Sequence, residues 1–171
     1  FSDAELWKSD GTSAGTVLVK DVYPGQLSGE VADLTNLDGT LFFTARTANE
    51  GRELWKSTGT GSSTVLIKDL APGLIGSLPQ NLVTAGGRLY FIARAMTNNA
   101  TLYVTDGTAL GTLALKDFGD GLITTSNFTP IGQRLYFSAS TSSGHYLWTT
   151  TGSTVSTRSI QHSSGGISDF G

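Results

Sequence analysis

Acids, aromatic rings and lysines recur in this chain at one spacing, so any chemistry they carry is repeated several times. The string ELWKSDGTSAGTVLVKD at residues 5–21 returns as ELWKSTGTGSSTVLIKD at 53–69 and as TLYVTDGTALGTLALKD at 101–117. A fourth echo, YLWTTTGSTVSTRSIQH, occupies 146–162. Three kinds of chemistry are open to these residues. Asp10 and Asp106, each followed by a glycine (Gly11 and Gly107), could offer a carboxylate to Ca²⁺. The column Trp7, Trp55, Tyr103 and Trp148 could stack on sugars, with one platform per unit. Lys20, Lys68 and Lys116 could form a ring of positive charge.

Each reading competes with a plainer one. Hard cations want six to eight oxygens, several of them from carboxylates. The loops here carry at most one carboxylate, and Thr58 and Thr151 replace it in two of the four. Asp-Gly more simply makes a turn, with Asp accepting backbone N–H bonds and Gly supplying positive φ. No metal or other cofactor is therefore expected, Ca²⁺ being the one weakly supported candidate. Periodic large aromatics are more often packing than platforms, since each ring buries about 150–250 Å². Lys and Asp of each Lys-Asp pair point to opposite strand faces; the lysines can instead meet Glu5 or Glu53 on the neighbouring strand, and such pairs contribute little at a surface.

Catalysis has little to rest on. His145 and His162 are unrepeated and fit no metal-ligand spacing. No Gly-x-Ser-x-Gly, P-loop or dinucleotide fingerprint occurs. Paired carboxylates for glycoside hydrolysis would meet only in the fold. Asn99-Ala100-Thr101 and Asn127-Phe128-Thr129 match the glycosylation tripeptide, a pattern that arises readily by chance in a Thr-rich chain.

These residues sit on short strands. Each unit carries four: Leu6–Ser9, Val17–Asp21, Ala32–Leu37 and Leu41–Arg46 in the first, with equivalents in the second and third units and a partial set in the last. The last two strands of a unit are joined by Asp38-Gly39, Gly86-Gly87 or Gly132-Gln133. The first two pairs suit type I′ hairpins and the third type II′. The segments TLFFTA, RLYFIA and RLYFSA are apolar on both faces, which predicts packing on both sides. Ala45, Ala93 and Ala139 mark a crowded spot. Units fall at about 5–52, 53–100, 101–145 and 146–171, the last incomplete, within a single repeat domain. Four strands per roughly 48 residues predicts an all-β, propeller-like array of four-stranded antiparallel blades rather than a solenoid or sandwich.

About three and a half units is an awkward number. The chain reads as part of a longer array, or its end segments FSDA and GGISDFG complete a blade, or two chains combine. Open blade edges make self-association an expected partnership, and glycans are the other. A net charge of −3 without a basic cluster argues against a nucleic-acid partner, which needs a dense Lys/Arg footprint. No apolar run is long enough to insert in a membrane, and no cysteine is present for disulfides or thiol chemistry.

The string ELWKSDGTSAGTVLVKDVYPG resembles the ELWxxDGT repeat, found in tandem in large exported bacterial proteins. The associated Gly-x-Leu-Tyr/Phe-Phe-x-Ala segment also matches, at Gly39–Ala45 and Gly87–Ala93. The likeness covers nearly the whole chain, with departures at Thr58, Thr151 and the last "VKD". The resemblance implies a secreted or surface location and propeller-like repeats, with no established enzymatic role. The function expected is a non-catalytic extracellular module for adhesion, surface structure or assembly. The alternatives are a lectin-like binder with one shallow site per blade, and a fragment of a secreted hydrolase.

Overall fold

The structure is a computed structural model. It describes residues 4–25, 27–95, 99–119, 122–141 and 144–163, with backbone alone for 122–124 and 161–163. GGISDFG and the first three residues of FSDA lie outside the described residues. No described residue is helical. Gly, Ser and Thr dominate between short runs of β-branched and aromatic residues, a composition that fits a pleated surface and not a helix.

The described residues form fourteen strands. The first pair is β1 (Leu6–Lys8) and β2 (Val17–Lys20). Next come β3 (Ala32–Leu37), β4 (Thr40–Thr47), β5 (Gly51–Ser57) and β6 (Val65–Lys68). They are followed by β7 (Gln80–Ala85), β8 (Arg88–Arg94), β9 (Ala100–Thr105) and β10 (Leu113–Asp117). The last four are β11 (Leu122–Ile131), β12 (Arg134–Thr141), β13 (Gly144–Thr150) and β14 (Arg158–Ser163). They make one two-stranded sheet, β1-β2, and three four-stranded antiparallel meanders: β3 to β6, β7 to β10 and β11 to β14. Among the described residues the sheets do not close into a ring.

The sheets are out of phase with the repeated string by half a unit. ELW…VKD supplies the last two strands of one sheet, and the following hairpin supplies the first two of the next. That hairpin turns as its residues require: Asp38 and Gly39 have φ of 49° and 82°, Gly86 and Gly87 of 56° and 68°, and Gly132 of 58°. Between sheets, β3 approaches β7 and β7 approaches β11, so the first strands converge.

The core lies between successive sheets as three apolar clusters. Phe43, Ala45 and Trp55 meet Leu6 and Val22 from the β1-β2 side. On the opposite face of the same sheet, Phe42, Leu54 and Ile67 meet Leu89, Phe91, Ala93 and Tyr103. Tyr90, Ile92, Leu102 and Leu115 then meet Leu135, Phe137 and Ala139. The central hairpin strands are thus apolar on both faces because each face has a neighbouring sheet.

Ala45, Ala93 and Ala139 are at most 1% exposed and lie in the apolar clusters between successive sheets. Enlarging Ala93 to Leu should overpack this contact and cost about 1–3 kcal/mol, read as a lower urea midpoint with an unchanged slope; a neutral result would mean the sheets can slide apart.

Candidate functional site

The DGT loops are turns held by their own side chains. Asp10 Oδ1 accepts the Thr12 N–H at 2.9 Å and the Thr12 hydroxyl at 2.7 Å. Asp106 does the same with Thr108, at 2.8 and 2.7 Å. These bonds, the threonine hydroxyl first and its backbone N–H second, hold both carboxyls below the usual aspartate range. Gly11 and Gly107 take φ of 91° and 88°, a region that β-carbon sterics close to most residues.

Thr58 and Thr151 have no carboxylate to offer, yet their loops take the same shape. Here Ser63 Oγ accepts the N–H groups of Thr58 at 3.1 Å and Thr60 at 3.2 Å. Ser156 Oγ accepts those of Thr151 at 3.0 Å and Ser153 at 3.2 Å. In the Asp loops the residue aligned with these serines is Gly15 or Gly111. A Cβ there would lie 2.0 Å from Asp10 Oδ1 or 2.1 Å from Asp106 Oδ1. The loop therefore has two mutually exclusive fastenings, Asp with Gly or Thr with Ser, which alternate along the chain. As for Ca²⁺, Asp10 and Asp106 are each engaged within their own turn, and no three acid, His or Cys side chains converge among the described residues.

The aromatic column is not a row of equivalent platforms. Trp55 is 8% exposed, Tyr103 6% and Trp7 55%; Trp148 is half-buried. Tyr103 stacks on Phe91 at 5.4 Å and Trp148 on Phe137 at 6.3 Å. Trp55 lies opposite Phe43 in the β4-β5 register. Trp55 and Tyr103 are buried packing residues, the plainer of the two readings of the column, and neither offers an open ring face.

The lysines likewise meet neither Glu5 nor Glu53, nor do they line the side where the sheets converge. Lys20 lies over the Trp55 ring at 6.0 Å, and Lys116 over Trp148 at 5.5 Å. Lys68 Nζ donates to the Thr112 carbonyl at 3.2 Å. Each lysine leaves an outer strand pair to meet the next sheet. A cation over a ring stabilises by about 0.5–2 kcal/mol, depending on desolvation.

The two glutamates do something the sequence did not reveal. Glu5 Oε2 accepts the Val22 N–H, and Glu5 Oε1 accepts the Gly29 N–H at 2.6 Å. Glu53 Oε1 accepts the N–H groups of Ala71 at 3.2 Å and Ser77 at 2.8 Å, while Oε2 accepts the Ser77 hydroxyl. Each carboxylate fastens the loop that carries the chain to the next sheet. Gly29 and Ser77 in turn accept the Arg46 and Arg94 N–H groups of that next sheet, both at 2.7 Å. Glu53 is fully buried, and desolvation pushes its carboxyl above the usual glutamate range against the opposing bonds from Ser77. Thr101 and Tyr146 stand at the equivalent positions; in the third unit the Phe118 N–H bonds the Ala100 carbonyl instead.

A second unforeseen feature lies where the sheets converge. Asp33, Asn81 and Asn127 occupy the same position in β3, β7 and β11 and take φ of 54°, 58° and 56°. Each sits at a register shift, so each first strand bulges there. Asx residues tolerate this left-handed backbone, and their recurrence in ADL, QNL and SNF is the signal that could have shown it. Thr44 donates to Asp33 at 3.0 Å and Asn81 to Thr125 at 3.1 Å. At the hairpin-turn end, a polar depression of about 340 Å³ is lined by Asn36, Asp38, Gly86 and Gly132. A more apolar one of about 440 Å³ lies against Leu74, Ile75 and Leu78. Neither gathers acids in a catalytic arrangement. His145 bonds Ser140 at 2.7 Å on an exposed face, and the His162 side chain is outside the described residues.

Two outcomes follow from this geometry. Gly111→Ser alone should lower the melting temperature by a few degrees, and adding Asp106→Thr should restore it; a double variant no better than the single one would show that the fastenings are not exchangeable. Glu53→Gln keeps an acceptor but cannot ionise. A raised carboxyl adds stability at low pH that is lost as pH rises through its folded value. Glu53→Gln should therefore gain stability relative to the parent as pH climbs above the ordinary glutamate range, measured by urea unfolding across pH. No protein-family model matches the chain, and no curated protein sequence matches it.

Proposed function

We propose that this chain is a non-catalytic extracellular repeat module whose sheets stack as blades of a propeller-like array, serving adhesion, surface structure or assembly. One observation carries this reading: the side chains that recur with the repeat are engaged in joining one sheet to the next. Glu5 and Glu53 hold the crossing loops, Trp55 and Tyr103 fill the space between sheets, and Lys20 and Lys116 lie over Trp55 and Trp148. A repeated active site or ligand site would need those groups free. The convergence of β3, β7 and β11 supports blades arranged about an axis, as expected of four-stranded units. The extracellular placement rests on the resemblance to ELWxxDGT repeats.

A lectin-like role would rest on Trp7, the exposed member of the column, and not on one site per blade. A glycan array together with a melting curve in EDTA tests the proposal. It predicts no glycan binding and no change in melting temperature on chelation. Glycan binding that Trp7→Ala abolishes would replace it with the lectin reading, and a chelator-sensitive melt would show that a cation holds the loops.

A further inference from the structure

The loop from β6 to β7 shares its frame with the loop from β2 to β3 and differs from it in what it presents. Glu53 accepts the N–H groups of Ala71 and Ser77, as Glu5 accepts those of Val22 and Gly29. The second loop is also bonded to the start of β5. The Arg52 N–H donates to the Ile75 carbonyl at 3.0 Å, and the Leu78 N–H to the Arg52 carbonyl at 3.1 Å. Gly51 and Gly76 are in such close contact that a Cβ on Gly51 would stand 2.3 Å from the Gly76 nitrogen. The loop backbone is thus held at several points.

This fixed loop walls a hollow of about 440 Å³ lined by Pro72, Leu74, Ile75, Leu78, Ala95 and Arg94. Small-molecule sites span about 300–1,000 Å³. Leu74 and Ile75 are 70% and 74% exposed, and Leu78 is 41% exposed. Single exposed aliphatics need no explanation, but a contiguous group of them marks an interaction site. Leu78 takes a φ of 52°, which is uncommon for a bulky residue, so the fold presents this leucine at a backbone cost.

The first loop shows which charge belongs beside such a wall. Aligned by the repeat, Leu78 corresponds to Glu30, Arg94 to Arg46 and Ala100 to Arg52. Glu30 takes the same backbone conformation, with φ of 47°, and its carboxylate pairs with Arg46 at 3.4 Å and with Arg52. The second loop keeps the arginine and replaces the carboxylate with an aliphatic side chain. Arg94 has contacts of its own, and the five N–H donors of a guanidinium can serve a carboxylate beside them.

We propose that this hollow binds a medium-chain fatty acid, its alkyl body against Leu74, Ile75 and Leu78 and its carboxylate on Arg94. The N–H groups of Ala71, Ser77 and Leu78 and the carbonyls of Ile75 and Ser77 are already bonded within the frame. That favours an unbroken alkyl chain over a peptide with amides to satisfy. The site is separate from the joining of sheets, because Leu74 and Leu78 do not recur with the repeat.

The test titrates the full chain with octanoate below its micellar concentration and follows Leu and Ile methyl resonances by NMR. The expected result is saturable shifts at Leu74, Ile75 and Leu78, with octanol binding about tenfold more weakly, roughly the worth of one charge-assisted hydrogen bond. Arg94→Gln should weaken octanoate to the level of octanol at an unchanged melting temperature. Leu78→Glu rebuilds the pairing of the first loop and should abolish octanoate binding. Equal affinity for octanoate and octanol, undiminished binding by Arg94→Gln, or no saturable shift at these methyls would overturn the proposal. So would tighter binding of acetyl-leucine than of octanoate, since the ligand would then be a peptide C-terminus.

Discussion

A buried carboxylate holding the loop between two sheets is the constraint on which the first two sheet-to-sheet crossings depend. Desolvating a carboxylate costs several kcal/mol, and each hydrogen bond to a charged group returns about 1.5–3 kcal/mol. Two or three such bonds roughly offset the penalty, so the glutamate adds little net stability by itself. What it does is fix where the chain crosses. Glu53 binds both ends of the β6–β7 loop, at Ala71 and Ser77, and Ser77 binds β8. Sheet, loop and next sheet are therefore joined by a continuous series of hydrogen bonds, and the apolar faces meet in one register.

Once that crossing is fixed, the other repeated residues find their roles by position. Trp55 and Tyr103 fall between sheets and are buried by them, while Lys20 and Lys116 reach across to cover rings of the neighbouring sheet. Residue types that suggest ligand chemistry in isolation are here the means by which a short four-stranded sheet, too small to have a core of its own, shares one with its neighbours. This is the energetic pattern of repeat proteins, in which stability resides in nearest-neighbour interfaces.

The parts of this that were legible in the sequence are those with local causes. Asp38-Gly39 and Gly86-Gly87 announce their hairpins because two successive positive φ values are demanded within the dipeptide itself. The two-sided apolar pattern of TLFFTA announces a strand between layers. That the aromatic column packs was legible, but which of its rings are buried was not: Trp7 and Trp55 sit in the same ELWKS string, and a strand lies beside the second alone. The role of Glu5 and Glu53 was hidden for a related reason. Apart from the Ser77 hydroxyl, their partners are backbone amides 17 to 24 residues away, and a backbone amide leaves no trace in residue identity. The Asx bulges at Asp33, Asn81 and Asn127 were written in the sequence but carry meaning only when three units are aligned.

The alternation of loop fastenings bears on how such a chain can lengthen. An exchange between adjacent units that breaks within the loop would join an Asp to a Ser, which collide, or a Thr to a Gly, which leaves the turn without its acceptor. The same exchange between units two apart joins like to like and is silent. Duplication through these loops is therefore tolerated in steps of two units, and an array that grows this way keeps neighbouring repeats dissimilar. In a chain of near-identical strands, that dissimilarity opposes pairing with the wrong neighbour during folding.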